Sequence, residues 1–301
     1  MFKNQLFDLV FESMIPIAGY NPACDLPPDV TVLYGDVIPC PLLQTDFGLS
    51  YLVETNRCIL SWPDTDAYQI DDGCRITVQP FFNTPESEII LSLLGLVSAL
   101  LLMQRGIFSL HGSAVVVNNK AFIFIGEKGQ GKSTMASQMV AAGATLLTDD
   151  LAAIDIKDTR NFVRPGFPDI KLWPDSLLHL DENPNHHTRI IPEVEKRNLS
   201  LPNRFHPHVT PIAAIFLLDI GNDLSLQRLN FQESFLALTS NASCRHFTEK
   251  IPTPITTTRF EQCAQLAKTT PIYSLTRPHD FSRIPETISL LLSDTIGASS
   301  L

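Results

Sequence analysis

The apolar run Ala121-Phe122-Ile123-Phe124-Ile125 leads directly into Gly126-Glu127-Lys128-Gly129-Gln130-Gly131-Lys132-Ser133. That order allows one local architecture: a buried strand, a tight glycine-rich turn and a helix. Glycines let the backbone curl until successive N–H groups point inward at an anion, and the run fits the phosphate-loop pattern G-x-x-x-x-G-K-[ST]. A helix starting near Ser133 aims the positive end of its dipole at the same place. Gly126, Glu127, Lys128, Gly129, Gln130, Gly131, Lys132, Ser133 and Thr134 are therefore the candidate cradle for a nucleoside triphosphate, ATP being the obvious one. Lys132 reaches the outer phosphates, and the Ser133 hydroxyl is a candidate Mg²⁺ ligand. A glycine-rich turn beside an ordinary surface lysine is the plainer alternative.

The chain of 301 residues has room for one large or two modest domains. Its net charge of −10, without a Lys/Arg cluster, points away from nucleic acid or an anionic membrane as the main partner. Cys24, Cys40, Cys58, Cys74, Cys244 and Cys263 are scattered without a C-x-x-C pair, as expected of free thiols in a reducing compartment, and the N-terminus lacks a secretion-signal pattern. A cytoplasmic location is the expectation. Ile89 to Met103 is almost wholly apolar but shorter than the roughly 20 residues a bilayer requires, so a buried joining helix is expected and no membrane.

Residues 1–83 hold many prolines and short apolar runs, Val30 to Tyr34, Leu49 to Glu54, Cys58 to Trp62 and Arg75 to Val78, with a hairpin turn at Asp71-Asp72-Gly73. They predict a small β-rich domain, a candidate for substrate recognition. Residues 84–107 predict the joining helix. Residues 108–301 predict an α/β domain: strands at Ser113 to Val117, Ala121 to Ile125, Thr145 to Leu147, Ile212 to Leu218 and Ile272 to Leu275, with helices at Ser133 to Ala142, Phe231 to Leu238, Arg259 to Ala267 and Pro285 to Leu292. The stretch Asn183 to Thr210, rich in Pro, His and Asn, is expected to be a long loop.

If Asn118-Asn119 is a two-residue turn, Val117 faces Lys120 and His111 faces Gly126, which sets the imidazole beside the phosphates; satisfying a nearby carbonyl is the alternative use of that ring. Asp149 and Asp150 follow the strand after the phosphate-loop helix. A right-handed crossover makes that strand parallel to Ala121–Ile125, so both end at the edge where open α/β sheets bind ligands. Two carboxylates beside one triphosphate imply a division of labour: Asp149 as general base and Asp150 as metal support, although spacing does not distinguish them. Lys196, Arg197 and Arg204 are candidate clamps for a transferring phosphoryl group. His179, His186, His187, His206 and His208 have no cysteine at ligand spacing, and a solvated loop accounts for them better than zinc does.

Together, Leu110-His111-Gly112-Ser113, the loop Gly126 to Ser133 and Leu147-Thr148-Asp149-Asp150-Leu151 resemble the HPr kinase/phosphorylase family, in particular the HPr-kinase-like serine kinases of bacterial peptide gene clusters. The resemblance extends to Gly166 through Asp175 and Pro271 through Pro278, and covers about residues 105–295. It implies a P-loop fold of the HPr-kinase/PEP-carboxykinase kind, with Lys132 on the phosphates, Ser133 on Mg²⁺, His111 orienting the catalytic carboxylate and Asp149 accepting a serine proton. The family's acidic-Arg-Gly-Leu-Gly and Arg-Pro-Gly-Arg-Asn stretches are missing, which points away from HPr as acceptor and from phosphorolysis.

The implied function is ATP-dependent phosphorylation of a serine in a peptide or small protein, including ribosomally made precursors of the lasso type. Two alternatives remain open: a nucleotide-binding or ATPase accessory module that recruits a biosynthetic partner, and a small-molecule hydroxyl or carboxyl kinase. A homo-oligomer is compatible with all three.

Overall fold

The computed structural model describes residues 1–20, 25–37, 42–45, 48–62, 65–245, 247 and 251–297. Cys24 and Cys40 lie outside them. The chain is mixed α/β with several sheets, and it divides into two compact units: Met1–Ser109 with Ser243–Glu261, and Leu110–Ala242 with Gln262–Leu301.

Among the described residues, the first unit holds β1 (Phe2–Leu6), β2 (Leu9–Ser13), β3 (Val30–Tyr34), β4 (Leu43–Gln44), β5 (Ser50–Val53), β6 (Arg57–Ser61), β7 (Ala67–Asp71) and β8 (Arg75–Gln79). They form one sheet in the order β1-β2-β3-β8-β7-β6-β5-β4. Phe7 and Asp8, both at positive φ, make the two-residue turn between β1 and β2, a hairpin that no Gly or Asn announces in the sequence. The β7–β8 hairpin turns through Asp72 and Gly73, also at positive φ, with Asp71 paired to Arg75.

Helices α1 (Glu86–Ser92) and α2 (Ser98–Gln104) are joined by a π-helical stretch, Leu93–Val97, that breaks at Gly95. By length and composition alone Glu86–Gln104 could cross a membrane, yet 56% of its most apolar window is buried. Gln104 at its end accepts from Gly73 N and donates to Ile70 O of the β7–β8 hairpin. Those two bonds tie the end of the helix to the sheet of the first unit.

The second unit begins with β9 (Phe108–Val117, whose first two residues belong to the first unit) and β10 (Lys120–Ile125), followed by α3 (Lys132–Ala141), β11 (Thr145–Thr148), β12 (Leu151–Asp155), β13 (Phe162–Val163) and β14 (Asp169–Leu172). Then come α4 (Pro174–Leu178), β15 (Arg189–Ile191), β16 (Val194–Ser200), β17 (Thr210–Ile220), β18 (Ser225–Arg228), α5 (Phe231–Asn241), α6 (Thr253–Thr269, whose residues up to Glu261 belong to the first unit), β19 (Ile272–Arg277) and α7 (Ile284–Gly297). The main sheet runs β10-β9-β12-β13-β17-β19-β18, β11 adds onto β9, and a parallel β10–β17 ladder closes part of it into a ring.

Asn118 and Asn119 adopt the two left-handed conformations of a tight hairpin, and β9 and β10 pair from Val117↔Lys120 to Gly112↔Ile125. β11 pairs antiparallel with β9. It therefore runs in the same sense as β10, with β9 inserted between them rather than as its direct neighbour. The C-terminal ends of β10 and β11 arrive at one edge, on either side of His111–Ser113.

Every residue from Ala121 to Ile125 is buried, as an apolar run covered on both faces should be. Phe216 stacks on Phe124 at 5.7 Å and meets Phe122 at a tilt at 5.6 Å, and the three rings pack among Met135, Met139 and Val140 of α3 and Ile284, Ile288 and Leu291 of α7. Each buried ring contributes about 1.5–3 kcal/mol, so this core fixes the loop that follows β10.

The stretch 183–210 corrects the expectation of a structureless loop. β14, β16 and β15 form a separate three-stranded sheet. Along β16 the buried positions are Arg197 and Leu199; an arginine at an inward position conceals the two-residue alternation that marks a strand.

Candidate functional site

The loop after β10 is held at its start and its end. Gly126 N–H donates to Asn241 Oδ1 at 3.0 Å, a buried residue at the end of α5. At the far end Gly131 sits at φ 80, where it caps α3, and a Cβ there would overlap the Arg277 guanidinium. Both constraints demand glycine. Lys132 is buried and donates from Nζ to Gly126 O at 2.8 Å and Glu127 O at 3.1 Å. Burial pushes its pKa down, against the pull of Asp150. Glu127, Lys128 and Gly129 are exposed, whereas Gln130, Gly131, Ser133 and Thr134 are half-buried.

Beyond β11 the chain makes a γ-turn: Leu151 N donates to Asp149 O at 2.9 Å, and the central residue, Asp150, has φ 73. This conformation is rare and strained for a residue with a Cβ. It sends two consecutive carboxylates into different surroundings. Asp149 is 1% exposed and fully engaged. Its Oδ1 accepts from Ser113 Oγ at 2.6 Å and Ser133 Oγ at 2.9 Å, and its Oδ2 accepts from Lys171 N at 3.0 Å.

Asp150 keeps 30% of its side chain exposed and pairs with Lys171 Nζ at 2.9 Å and His111 Nδ1 at 3.2 Å. Burial alone would raise its pKa, but the Lys171 ammonium and the His111 ring beside it hold the carboxyl well below the usual carboxylate range. His111 Nδ1 also lies 3.0 Å from Asp150 O. Both neighbours are acceptors, so Nδ1 carries the proton. The ring thus satisfies a backbone carbonyl and a cavity-facing carboxylate, both of Asp150.

Lys128, Gly129, Gly131, Lys132, Ser133, Thr134, His111, Ser113 and Asp150 line one cavity together with Lys171, Trp173, Asp175, Ser176, Lys196, Arg277, His279, Asp280, Phe281 and Ile284. Asp149 is not among its lining residues. Five Lys/Arg side chains face three Asp, a local balance of +2 in a chain of net charge −10. Such a pocket attracts anions.

Of the three candidate clamps, Lys196 reaches this cavity, its Nζ 5.7 Å from the Trp173 ring centre. The other two are corrected: Arg197 is taken up by Glu195, and Arg204 donates to Val140 O. The histidines disperse: His179 stacks on Phe281, His187 pairs with Glu182, and His206 and His208 meet edge to face. Among the described residues no group of three or more His, Cys, Asp or Glu is arranged to hold a metal.

Sequence reasoning gave no role to Lys171, Arg277, Asn241 or Ser113. Three of these lie in the runs that carry the resemblance, Ser113 in Leu110–Ser113, Lys171 in Gly166–Asp175 and Arg277 in Pro271–Pro278. Asn241 carries no signal, because only the fold brings the end of α5 to Gly126.

No family model matches the chain, and no curated protein does. Among solved structures, the Hpr(Ser) kinase/phosphatase from Coxiella burnetii is similar at a TM-score of 0.37 and 8% identity, over 64% of this chain and 99% of that one. A likeness that distant carries no argument about activity.

Proposed function

We propose that the second unit is an ATP-dependent phosphotransferase acting on a hydroxyl, with a serine of a peptide or small protein as the acceptor class. The observation that carries this reading is the meeting, in one cationic cavity, of a glycine-rich loop with its lysine and a carboxylate, Asp150, that a histidine and a lysine fix in place. Phosphoryl transfer asks little covalent help of a protein; it needs positioning and charge neutralisation.

Lys132 and the loop N–H groups hold the phosphates. The acceptor oxygen attacks the terminal phosphorus, the bond to the bridging oxygen breaks, ADP leaves, and the acceptor proton passes to a carboxylate. The site favours Asp150 for that last role, reversing the division of labour read from the sequence. Asp149 is buried and does not line the cavity, whereas Asp150 lines it with part of its side chain exposed, its oxygens paired to His111 and Lys171.

The Ser133 hydroxyl donates its hydrogen bond to Asp149 and keeps its lone pairs free, and a hydroxyl backed by a carboxylate is hard-oxygen chemistry that suits Mg²⁺. Ser133 would hold the ion with Asp149 behind it, and Mg²⁺ when bound supplies charge neutralisation at the phosphates. The peptide-serine acceptor, ribosomally made precursors included, rests on the sequence resemblance alone.

Purified protein incubated with Mg-ATP labelled in the γ-phosphate and candidate serine peptides tests the proposal. Label on a peptide serine is expected. Release of free phosphate alone, or no turnover, would favour the accessory-module alternative.

A further inference from the structure

Arg277 ends β19 and is 5% exposed. Its Nη2 donates to Gln130 O at 3.0 Å and its Nη1 lies 3.5 Å from Pro278 O, while its buried Nε has no partner. Among the described residues no carboxylate pairs with it. Asp280, the nearest acid in sequence, is engaged instead by Ser282. The guanidinium packs so closely on Gly131 that no side chain fits between them, and it lines the same cavity as Lys132 and Ser133.

A buried cation held only by neutral carbonyls is costly, and proteins normally supply such a charge with a partner. Among the described residues Arg277 has none, yet its guanidinium lies against Gln130 and Gly131 of the candidate anion cradle. The planar fork of donors matches phosphate oxygens. We infer that Arg277 is a phosphate-binding residue whose guanidinium, delivered from β19, neutralises the phosphoryl chain held by Gly126–Ser133. This rests on the loop being a triphosphate cradle and adds to it a specific counter-charge.

A phosphate role and a strut role predict opposite effects on the protein without nucleotide. If Arg277 waits for an anion, removing its charge relieves an unpaired buried cation. If it merely braces Gln130, removing it loosens the loop and lowers stability.

The experiment is calorimetric titration of the full chain with Mg-ATP, alongside thermal melting without nucleotide, for wild type, Arg277→Gln and Arg277→Lys. Loss of a charge-assisted contact predicts an affinity roughly 10- to 100-fold weaker for Arg277→Gln, with an unchanged or higher melting temperature and partial recovery in Arg277→Lys. Two results overturn the inference alone: wild-type affinity in Arg277→Gln, or affinity and melting temperature falling together with no recovery in Arg277→Lys. Failure of the wild type to bind Mg-ATP overturns the cradle reading, and this inference with it.

Discussion

Lys171 holds the cavity-facing carboxylate in its charged state, and Lys171→Gln isolates that function. Lys171 Nζ lies 2.9 Å from Asp150 Oδ2, with the two side chains 11% and 30% exposed. At that distance and an effective dielectric of about 20, the attraction is about 6 kcal/mol before screening. Asp150 is partly open to water and keeps His111 beside it, so screening reduces the effect on its titration to about 1–3 pH units, or about 1.4–4 kcal/mol.

The sign follows from the direction of the shift. Asp150's carboxyl is held below its unfolded value, so the stabilisation it lends is present above the unfolded pKa and is lost as pH falls through the folded one. In Lys171→Gln that loss begins at higher pH. Carboxyl NMR with Asp labelled at Cγ follows the titration directly, with Asp150→Asn assigning the resonance, and the acid limb of the pH–rate profile should move upward with it. Lys171 N still donates to Asp149 in this variant, because that contact is backbone. An Asp150 titration identical in wild type and Lys171→Gln would refute the coupling.

Gly131→Ala forces a Cβ onto a residue at φ 80 and into the Arg277 guanidinium; Mg-ATP affinity should collapse, with a stability loss of about 1–3 kcal/mol in denaturant titration. Asn241→Ala leaves the buried Gly126 N–H without its 3.0 Å acceptor. It should cost about 1–3 kcal/mol in the same measurement, although Asn241 does not line the cavity.

The parts of the fold legible in the sequence were those with a single local cause. The Asn118-Asn119 turn fixed the β9–β10 register, and that register brought His111 to the loop. The burial of Ala121–Ile125 followed from an apolar run too dense for a half-exposed strand. Where the cause was tertiary, the sequence was silent. β16 carries Arg197 inward and so lost its alternation, and the β1–β2 hairpin turns on Phe7-Asp8 rather than on a turn dipeptide.

The carboxylate pair shows the same limit. Spacing placed Asp149 and Asp150 at the same sheet edge as the glycine-rich loop, but which one meets the cavity depends on a γ-turn at Asp150 and on hydroxyls from Ser113 and Ser133 that come from other elements. Lys171 and Arg277 read as ordinary strand residues until β14 and β19 are set beside the loop.

Parallel measurement of phosphotransfer and Mg-ATP affinity in Asp150→Asn and Asp149→Asn tests the central claim most directly. Asp150→Asn should transfer phosphate about 10²- to 10⁴-fold more slowly while binding Mg-ATP nearly as the wild type does, and Asp149→Asn should weaken Mg-ATP binding through Ser133. Wild-type transfer by Asp150→Asn, or a collapse of turnover with intact binding in Asp149→Asn alone, would contradict the account and return the proton-accepting role to Asp149.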